Sequence, residues 1–307
     1  MNVYIISVIL GIVEGLTEFL PVSSTAHLRI AEALLKLPMS ETGCALSGSG
    51  DCLQAVAYWK MYTIVIQAGA ILALLLLYLG RILEFMRTFP RGDRGDRNFI
   101  THPLSLTIWA FGCTSILALV FKKWSDRNLG SLTVIAVALV VGGIIMWIVD
   151  ARSTRYEPNT THVEEIGLGQ ALWIGICQSL SAIFPGTSRS MSTIAAGQMA
   201  GMDRPTALEF SFLLSIPTML AATAYDLWKE VIHPGKAALA AGAVHVTMNG
   251  QLWIVLAIGF VVSFIVAYGV VEWFLAWVRK HGFTVFAIYR ILLGIVLLIW
   301  GAKIVTS

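Results

Sequence analysis

The sequence predicts an all-α integral membrane protein: an inverted-topology repeat of one re-entrant helical hairpin plus three transmembrane helices, with six full spans in total. Three observations predict this fold: an apolar composition, six long apolar segments, and two further apolar segments that are similar in sequence and broken by proline. Apolar residues make up 57% and charged residues 13% of the chain, and its mean hydropathy is +0.78. Soluble domains carry about 25% charged residues, so a soluble fold is excluded.

Six segments are each close to the roughly 20 residues that a helix needs to cross a bilayer. These segments are residues 61–80, 103–121, 131–149, 207–225, 251–273 and 284–304. A bundle with this many spans uses the whole chain, so residues 1–307 are predicted to form a single membrane domain. The net charge of +3 is small and spread over loops, so no nucleic acid partner is expected.

Two other apolar stretches, residues 3–35 and 167–200, are interrupted near the middle by Pro21 and Pro185. Each is followed by a short run rich in Ser and Thr, and each arm is too short or too polar to cross a bilayer comfortably. Broken helices at membrane depth occur only where they are buried in protein or line a cavity. We therefore predict that both stretches are re-entrant hairpins.

The two hairpins also resemble each other in sequence. Residues 12–21 align with residues 176–185 without a gap, which indicates a duplication with a first repeat at 1–150 and a second at 151–307. Three predicted spans separate the hairpins, and an odd number turns the second copy upside down. The two proline tips should then meet near the middle of the bilayer.

The tips are predicted to bind an anion. Ser and Thr residues after a proline favour a new helix start, where free backbone N–H groups and the positive end of the helix dipole lie. Arg189, on the second tip, can hold two phosphate oxygens at once, and an arginine inside a membrane is usually functional. The structural alternative is that Arg189 pairs with a glutamate. The residues predicted to bind the substrate are Ser23, Thr25, Gly186, Thr187, Ser188 and Ser190.

The first tip carries two acidic residues, Glu14 and Glu18, four positions apart and therefore on one face of a helix. Two desolvated carboxylates there require a cation or a proton between them. Oxygen-only ligands suit Mg²⁺ or Ca²⁺ held jointly with substrate phosphates, so we predict a divalent cation on both residues. The alternative is a protonated or arginine-paired couple that only shapes the hairpin.

Ser24 and His27 are three residues apart and project from the same side once a helix has begun. This pair indicates a nucleophile with a base, or a phosphate ligand with a proton donor. The alternative for Ser24 is an N-cap, since a hydroxyl is needed at a helix start in any case. The other histidines lie in predicted loops, where we expect them to be solvated: His102, His162, His233, His245 and His281.

The two copies differ where chemistry is expected. Gln178 and Ala182 stand at the positions of Glu14 and Glu18, and the ungapped alignment places Thr25 opposite Arg189. One copy therefore keeps acidic side chains and the other a basic one. A purely structural duplication needs no such division, although chance divergence would also produce differences.

The runs at residues 14–27 and 185–190 resemble the two signature motifs of the bacterial undecaprenyl-diphosphate phosphatases, the bacitracin-resistance family. The resemblance extends through residues 209–214 and 286–290 and covers nearly the whole chain. It implies hydrolysis of undecaprenyl diphosphate to undecaprenyl phosphate, which recycles the lipid carrier for peptidoglycan synthesis. It also implies a divalent metal and an active site that opens to the outer face of the bacterial cytoplasmic (inner) membrane. The residues implied to function are Glu14, Glu18, Ser24, His27 and Arg189.

A transporter is the competing class, because secondary transporters share inverted repeats with re-entrant tips. A polyprenyl-phosphate flippase or an anion transporter would fit the same fold, and fold alone does not separate these functions. Two acids, a serine, a histidine and an arginine in one place favour an enzyme. The expected partners are a polyprenyl diphosphate lipid substrate and membrane lipids. The oligomeric state is left open, with a dimer as one possibility.

Loop charges and cysteines bear on orientation. With both termini outside, ten Lys and Arg residues lie in predicted cytoplasmic loops and eight lie opposite, so the positive-inside bias is weak. Cys44 and Cys52 fall in a loop assigned to the outside, where an oxidising compartment would allow them to pair. Cys113 and Cys177 lie in apolar segments and are expected to be free.

Overall fold

A computed structural model describes residues 2–38, 50–92, 97–128, 131–153, 157–228 and 248–306, together with Gly95 and Arg155. Within these residues the chain is helical, with one short 3-10 turn at Val163–Glu165 and one isolated bridge between Thr160 and Met202. The helices are α1 Val3–Thr17, α2 Ser24–Leu34, α3 Gly50–Thr88, α4 Pro103–Val120, α5 Lys122–Asn128, α6 Leu132–Ser153, α7 Leu168–Ile183, α8 Arg189–Met199, α9 Arg204–Leu227, α10 Gly250–His281 and α11 Thr284–Thr306.

Five of the described helices, α3, α4, α6, α9 and α10, are long and apolar enough to cross a bilayer. Together they make this a multi-pass membrane protein. Two of them are longer than predicted, since α3 has 39 residues and α10 has 32. The predicted sixth span falls on α11, whose apolar part in the described region, Thr284–Ile299, is shorter, so the sixth crossing stays a prediction.

Each predicted hairpin is a pair of helices, and the proline-containing segment lies in the break between them. Helix α1 packs against α2, and α7 packs against α8. Ser23 and Ser188 precede the second helix of each pair and adopt φ angles of 75° and 69°. Positive φ is uncommon for residues other than glycine and is typical of strained, functional turns. The two tips therefore share an unusual backbone conformation.

The contacts between helices come in matched sets. Helix α1 packs on α10 while α7 packs on α4, and α2 contacts α11 while α8 contacts α6. Glycines allow the backbones to approach each other closely at the α1–α10 and α7–α4 interfaces. A Cβ on Gly11 would lie 2.9 Å from the Gly259 carbonyl oxygen, and one on Gly175 would lie 2.8 Å from Ala110 Cα. The first helix of each hairpin thus lies directly against the backbone of its neighbour.

Gly175→Ala is expected to lower thermal stability in detergent by about 1–3 kcal/mol, because the added methyl would overlap the backbone of Ala110. Alanine alone favours a helix over glycine by about 1 kcal/mol, so overpacking must exceed that gain. Gly169, in the same helix, has open space around its Cα, and Gly169→Ala should leave the unfolding midpoint unchanged or raised. Equal midpoints for the two variants would contradict a tight α4–α7 interface.

The described residues include His102, one of the histidines expected to be solvated, and the two cysteines expected to be free, Cys113 and Cys177. His102 is fully buried and accepts a hydrogen bond from the Leu104 N–H at the start of α4, so the expectation that it is solvated is wrong. Cys113 and Cys177 are free, as expected. Cys44 lies outside the described residues and the side chain of Cys52 is not described, so their pairing stays a prediction.

Candidate active site

A buried arginine, Arg290, contacts both tips. Arg290, on α11, is 0% exposed. Its Nη1 donates to the Pro21 carbonyl oxygen at 3.1 Å, and its Nη2 lies 3.2 Å from the Gly186 oxygen and 2.8 Å from the Thr187 oxygen. A further contact of 3.2 Å joins Nη2 to the Ala138 oxygen in α6. Arg290 therefore fixes the position of one proline segment relative to the other.

Two consecutive serines with different roles stand at the start of α2, in the first tip. Ser23 is the N-cap, because its side chain accepts from the Ala26 N–H at 3.5 Å. Ser24 is the first residue of the helix, and its Oγ donates to Glu18 Oε2 at 2.5 Å. The alternative interpretation of Ser24 as the N-cap is therefore wrong, and its hydroxyl is directed at a carboxylate.

The second tip repeats this arrangement with one change. Ser188 caps α8 by accepting from the Met191 N–H at 3.4 Å, and Arg189 is the first residue of the helix. Arg189 is thus the structural counterpart of Ser24. The alignment of Thr25 with Arg189 is wrong by one position, because the segment between proline and cap is one residue longer in the second tip.

Glu18 joins the two tips. In addition to Ser24, its carboxylate lies 3.4 Å from Arg189 Nη2, through Oε1. Its backbone oxygen accepts from Ser190 Oγ at 3.3 Å. The Glu14 carboxyl contacts that of Glu18 and is buried, and its Oε2 has no hydrogen-bond partner. Each oxygen of the Glu18 carboxylate therefore has one partner from the protein and can accept a second, while Glu14 Oε2 has none among the described residues.

His27 does not pair with Ser24 in this structure. Its Nδ1 lies 2.7 Å from the Ser23 carbonyl oxygen, which can only accept, so Nδ1 carries the proton. Its Nε2 is 2.7 Å from the hydroxyl of Tyr289, which then donates, and the two rings stack at 5.6 Å with 11° between their planes. Both ring nitrogens serve the geometry of the tip, and Glu18 occupies the place expected for the base of Ser24.

Most of the other residues predicted to bind substrate make contacts with other groups of the protein. Thr187 Oγ1 donates to the Phe184 oxygen at 2.7 Å, and Ser190 contacts Glu18 as described. Gly186 has φ +92°, and a Cβ there would lie 2.7 Å from the Ile135 backbone, so only glycine fits. Thr25, in contrast, is exposed. Of these residues, Thr25 is the one on the open face of the tip.

A cavity of about 310 Å³ lies beside the first tip. It is bounded by the first hairpin, the N-terminal half of α3 and the end of α9, and its lining residues include Glu14, Glu18, Ser24, Thr25, Arg29, Glu32, Lys60, Gln67 and Asp226. Arg189 does not line it and reaches the site through Glu18. The cavity therefore exposes the predicted nucleophile and both predicted acids to one space.

Residues 7–296 match the family described as bacitracin resistance protein BacA. The chain belongs to this family. It is 54% identical over 303 residues to a protein of Koribacter versatilis, covering 99% of this chain and 100% of that one. It is 40% identical over 296 residues to a protein of Rhizobium etli, with 96% of each covered, and 36% identical over 299 residues to one of Caldanaerobacter subterraneus, with 97% and 96% covered. All three relatives are named undecaprenyl-diphosphatase.

The acidic pair of this BacA-family chain suits a divalent cation that is shared with a substrate. Among the described residues there is no group of three or more His, Cys, Asp or Glu side chains that could hold a metal ion alone. Mg²⁺ commonly uses one or two carboxylates and completes its shell with substrate phosphates and water. Glu14 Oε2, buried and without a partner, is an oxygen available for such a cation.

Proposed function

We propose that this chain hydrolyses undecaprenyl diphosphate to undecaprenyl phosphate and inorganic phosphate, and so recycles the lipid carrier for peptidoglycan synthesis and gives tolerance to bacitracin. One observation carries the proposal: Ser24 Oγ donates to Glu18 Oε2 at 2.5 Å on the wall of a cavity. A hydroxyl paired with a carboxylate is the arrangement of an activated nucleophile. The names of the full-length relatives support the same activity.

In the proposed reaction Ser24 Oγ attacks the terminal phosphorus. The Oγ–P bond forms, the bond from phosphorus to the bridging oxygen breaks, and undecaprenyl phosphate leaves. Glu18 takes the hydroxyl proton, since it already accepts that hydrogen bond. Water then attacks the phosphoserine: a new O–P bond forms and the Oγ–P bond breaks. Oγ takes the proton held by Glu18, and inorganic phosphate leaves as H2PO4⁻ with both protons of the water.

Arg189 supplies positive charge beside this reaction. Its Nη2 is directed at Glu18, while its Nη1 is buried and has no hydrogen-bond partner in the described part of the chain. Because Arg189 does not line the cavity in this structure, a phosphate oxygen would reach this donor only when substrate binding opens the space beside Glu18. A guanidinium can then contact two such oxygens. His27 acts as a positioning residue, because it anchors the Ser23 carbonyl and hence the turn that presents Ser24. The free N–H groups of the tip add further donors.

Glu14 and Glu18 are the proposed ligands of a divalent cation, Mg²⁺ or Ca²⁺. When bound, the cation would neutralise charge on the diphosphate. We expect EDTA to reduce phosphate release more than tenfold and added Mg²⁺ or Ca²⁺ to restore it.

Glu14→Gln should raise the cation concentration needed for half-maximal activity, because a neutral amide is a weaker ligand. Glu157→Gln, at an exposed carboxylate far from the tips, is the matched control. Full activity in EDTA would exclude the cation.

The transport alternative is tested with the same purified protein. In detergent there is no second compartment, so release of inorganic phosphate from farnesyl diphosphate reports hydrolysis alone. A chain that only moved lipid would release none, and the relatives' shared name supports release. Absence of phosphate release under all metal conditions, with the protein folded, would favour the flippase or anion transporter.

The two repeats at 1–150 and 151–307 and their inverted orientation are part of the proposal, as are six crossings. The matched contacts of α1 with α10 and of α7 with α4 support a duplicated architecture. So do the equivalent serine caps at Ser23 and Ser188. We place the protein in the bacterial inner membrane with the active site opening to the outer face.

Cysteine labelling in intact cells tests this orientation. In a chain whose four native cysteines are replaced by serine, Lys36→Cys, next to the first hairpin, should react with a membrane-impermeant maleimide. Arg155→Cys, which follows α6, should react only after the cells are opened. Both native side chains are exposed, so access to the reagent depends on the side of the membrane. The reverse pattern would show that the active site faces the cytoplasm.

A further inference from the structure

A second cavity, of about 840 Å³, lies at the other end of the helical bundle. It is enclosed by the C-terminal ends of α6, α8 and α10 and by the N-terminal end of α9. Helix α9 runs from Arg204 at this cavity to Asp226 at the first one. At about 1.5 Å per residue these positions are roughly 33 Å apart, which is the thickness of a bilayer core. The two cavities therefore open at opposite ends of α9.

The lining of the second cavity combines apolar side chains with polar ones, and three of the polar side chains are arginines. The apolar lining residues include Ile148, Val149, Met199, Met202 and Val278. Three arginines join them: Arg152, Arg204 and Arg279. Arg204 is already paired with Asp150, at 2.7 Å. Arg152 and Arg279 are exposed and have no ion-pair partner within the described ranges. Two positive charges thus remain available beside an apolar surface.

Among the described residues, the two acidic side chains of this cavity form no ion pair with Arg152 or Arg279. Asp203 caps α9 by accepting from the Thr206 N–H at 2.8 Å, and Glu157 is exposed. Gln198 adds a second, independent feature. It is 6% exposed, and its Nε2 donates to Asp150 and to Ser153, but its buried Oε1 has no hydrogen-bond partner. Gln198 therefore keeps a buried acceptor at the edge of the cavity, and Arg152 and Arg279 have no ion-pair partner in the described part of the chain.

We propose that this second cavity binds the phosphate group of a membrane lipid. The phosphate would lie on Arg152 and Arg279, since guanidinium groups bind phosphate oxygens in pairs and basic pockets between membrane helices bind lipid head groups. The chain of the lipid would follow the apolar side chains of the lining. The proposal does not depend on hydrolysis at the first cavity.

Native mass spectrometry of the purified full-length protein with dioleoyl phosphatidic acid tests the site. The wild type should retain one lipid more than the variant Arg152→Gln/Arg279→Gln, whose apparent affinity for that lipid should fall about tenfold or more. The control is Arg87→Gln, an exposed arginine at the same end of the bundle that does not line the cavity. This control should bind as the wild type does.

Two further probes separate lipid from free phosphate. Dioleoylglycerol, which has the same chains without phosphate, should not fill the site, and millimolar inorganic phosphate should not displace phosphatidic acid. Binding of dioleoylglycerol as tight as that of phosphatidic acid, or displacement by inorganic phosphate, would overturn the assignment. If the glutamine variant does not fold, Arg152→Lys/Arg279→Lys keeps the charges, and its lipid binding should weaken severalfold without loss of thermal stability. Unchanged binding in every folded variant would also overturn it.

Discussion

Ser24→Ala should reduce the release of phosphate by about 10³-fold or more, because the substitution removes the attacking oxygen. The helix start is expected to survive, since Ser23 and not Ser24 caps α2. The variant should therefore keep the stability of the wild type and still bind substrate, which equilibrium binding of farnesyl diphosphate would measure. Activity within tenfold of the wild type would show that Ser24 is only a ligand of the phosphate.

The matched control is Ser23→Ala, which keeps the Ser24 hydroxyl but removes the cap. Loss of an N-cap costs about 1 kcal/mol of stability, so this variant should unfold at a lower temperature and lose only part of its activity.

Rapid quenching of the wild type with labelled substrate measures the proposed intermediate directly. A phosphoserine at Ser24 that forms at least as fast as turnover would support the phosphoserine intermediate. Direct transfer of solvent oxygen with inversion at phosphorus would exclude that intermediate.

Arg189→Lys should fail to rescue Arg189→Ala, with both variants losing about 10²–10³-fold in turnover. The guanidinium can contact Glu18 through one nitrogen and keep the other for phosphate, which a single ammonium cannot do in the same geometry. Arg29→Lys is the matched control. Arg29 lines the same cavity but is more exposed and pairs with Glu32 at 3.6 Å, so its replacement should change the rate little. Near-native hydrolysis by Arg189→Lys would mean that charge alone suffices.

The proline breaks and the helix starts after them could be predicted from the sequence, because caps and turns depend on neighbouring residues. Residues 3–35 and 167–200 form two broken helix pairs as expected, and five apolar segments became helices long enough to span a bilayer. The ends of α3 were missed because nothing in the local pattern stops a helix at residue 80. Periodicity identifies an element better than its ends.

The partners of the site residues could not be predicted, because they depend on how distant segments dock. Ser24 meets Glu18 within one hairpin, but His27 meets Tyr289, which is 262 positions away. The extra residue before Ser188 is invisible to an ungapped alignment. The role of Arg290 could have been predicted, because an arginine in an otherwise apolar helix needs buried partners. Residues 286–290 were noted only as part of the family resemblance, and Arg290 was assigned no role.

The contacts of Arg290 limit how the two hairpins can move relative to each other. Alternating access in a transporter requires one half to rock against the other around a shared centre. Here that centre is tied by one buried guanidinium to carbonyl oxygens of both tips. Hydrogen bonds from a charged donor contribute about 1.5–3 kcal/mol each, and breaking them would leave a charge unsatisfied in a dry interior. A motion that separated the two tips would break these bonds, so the proposed site lies where buried contacts keep the tips together.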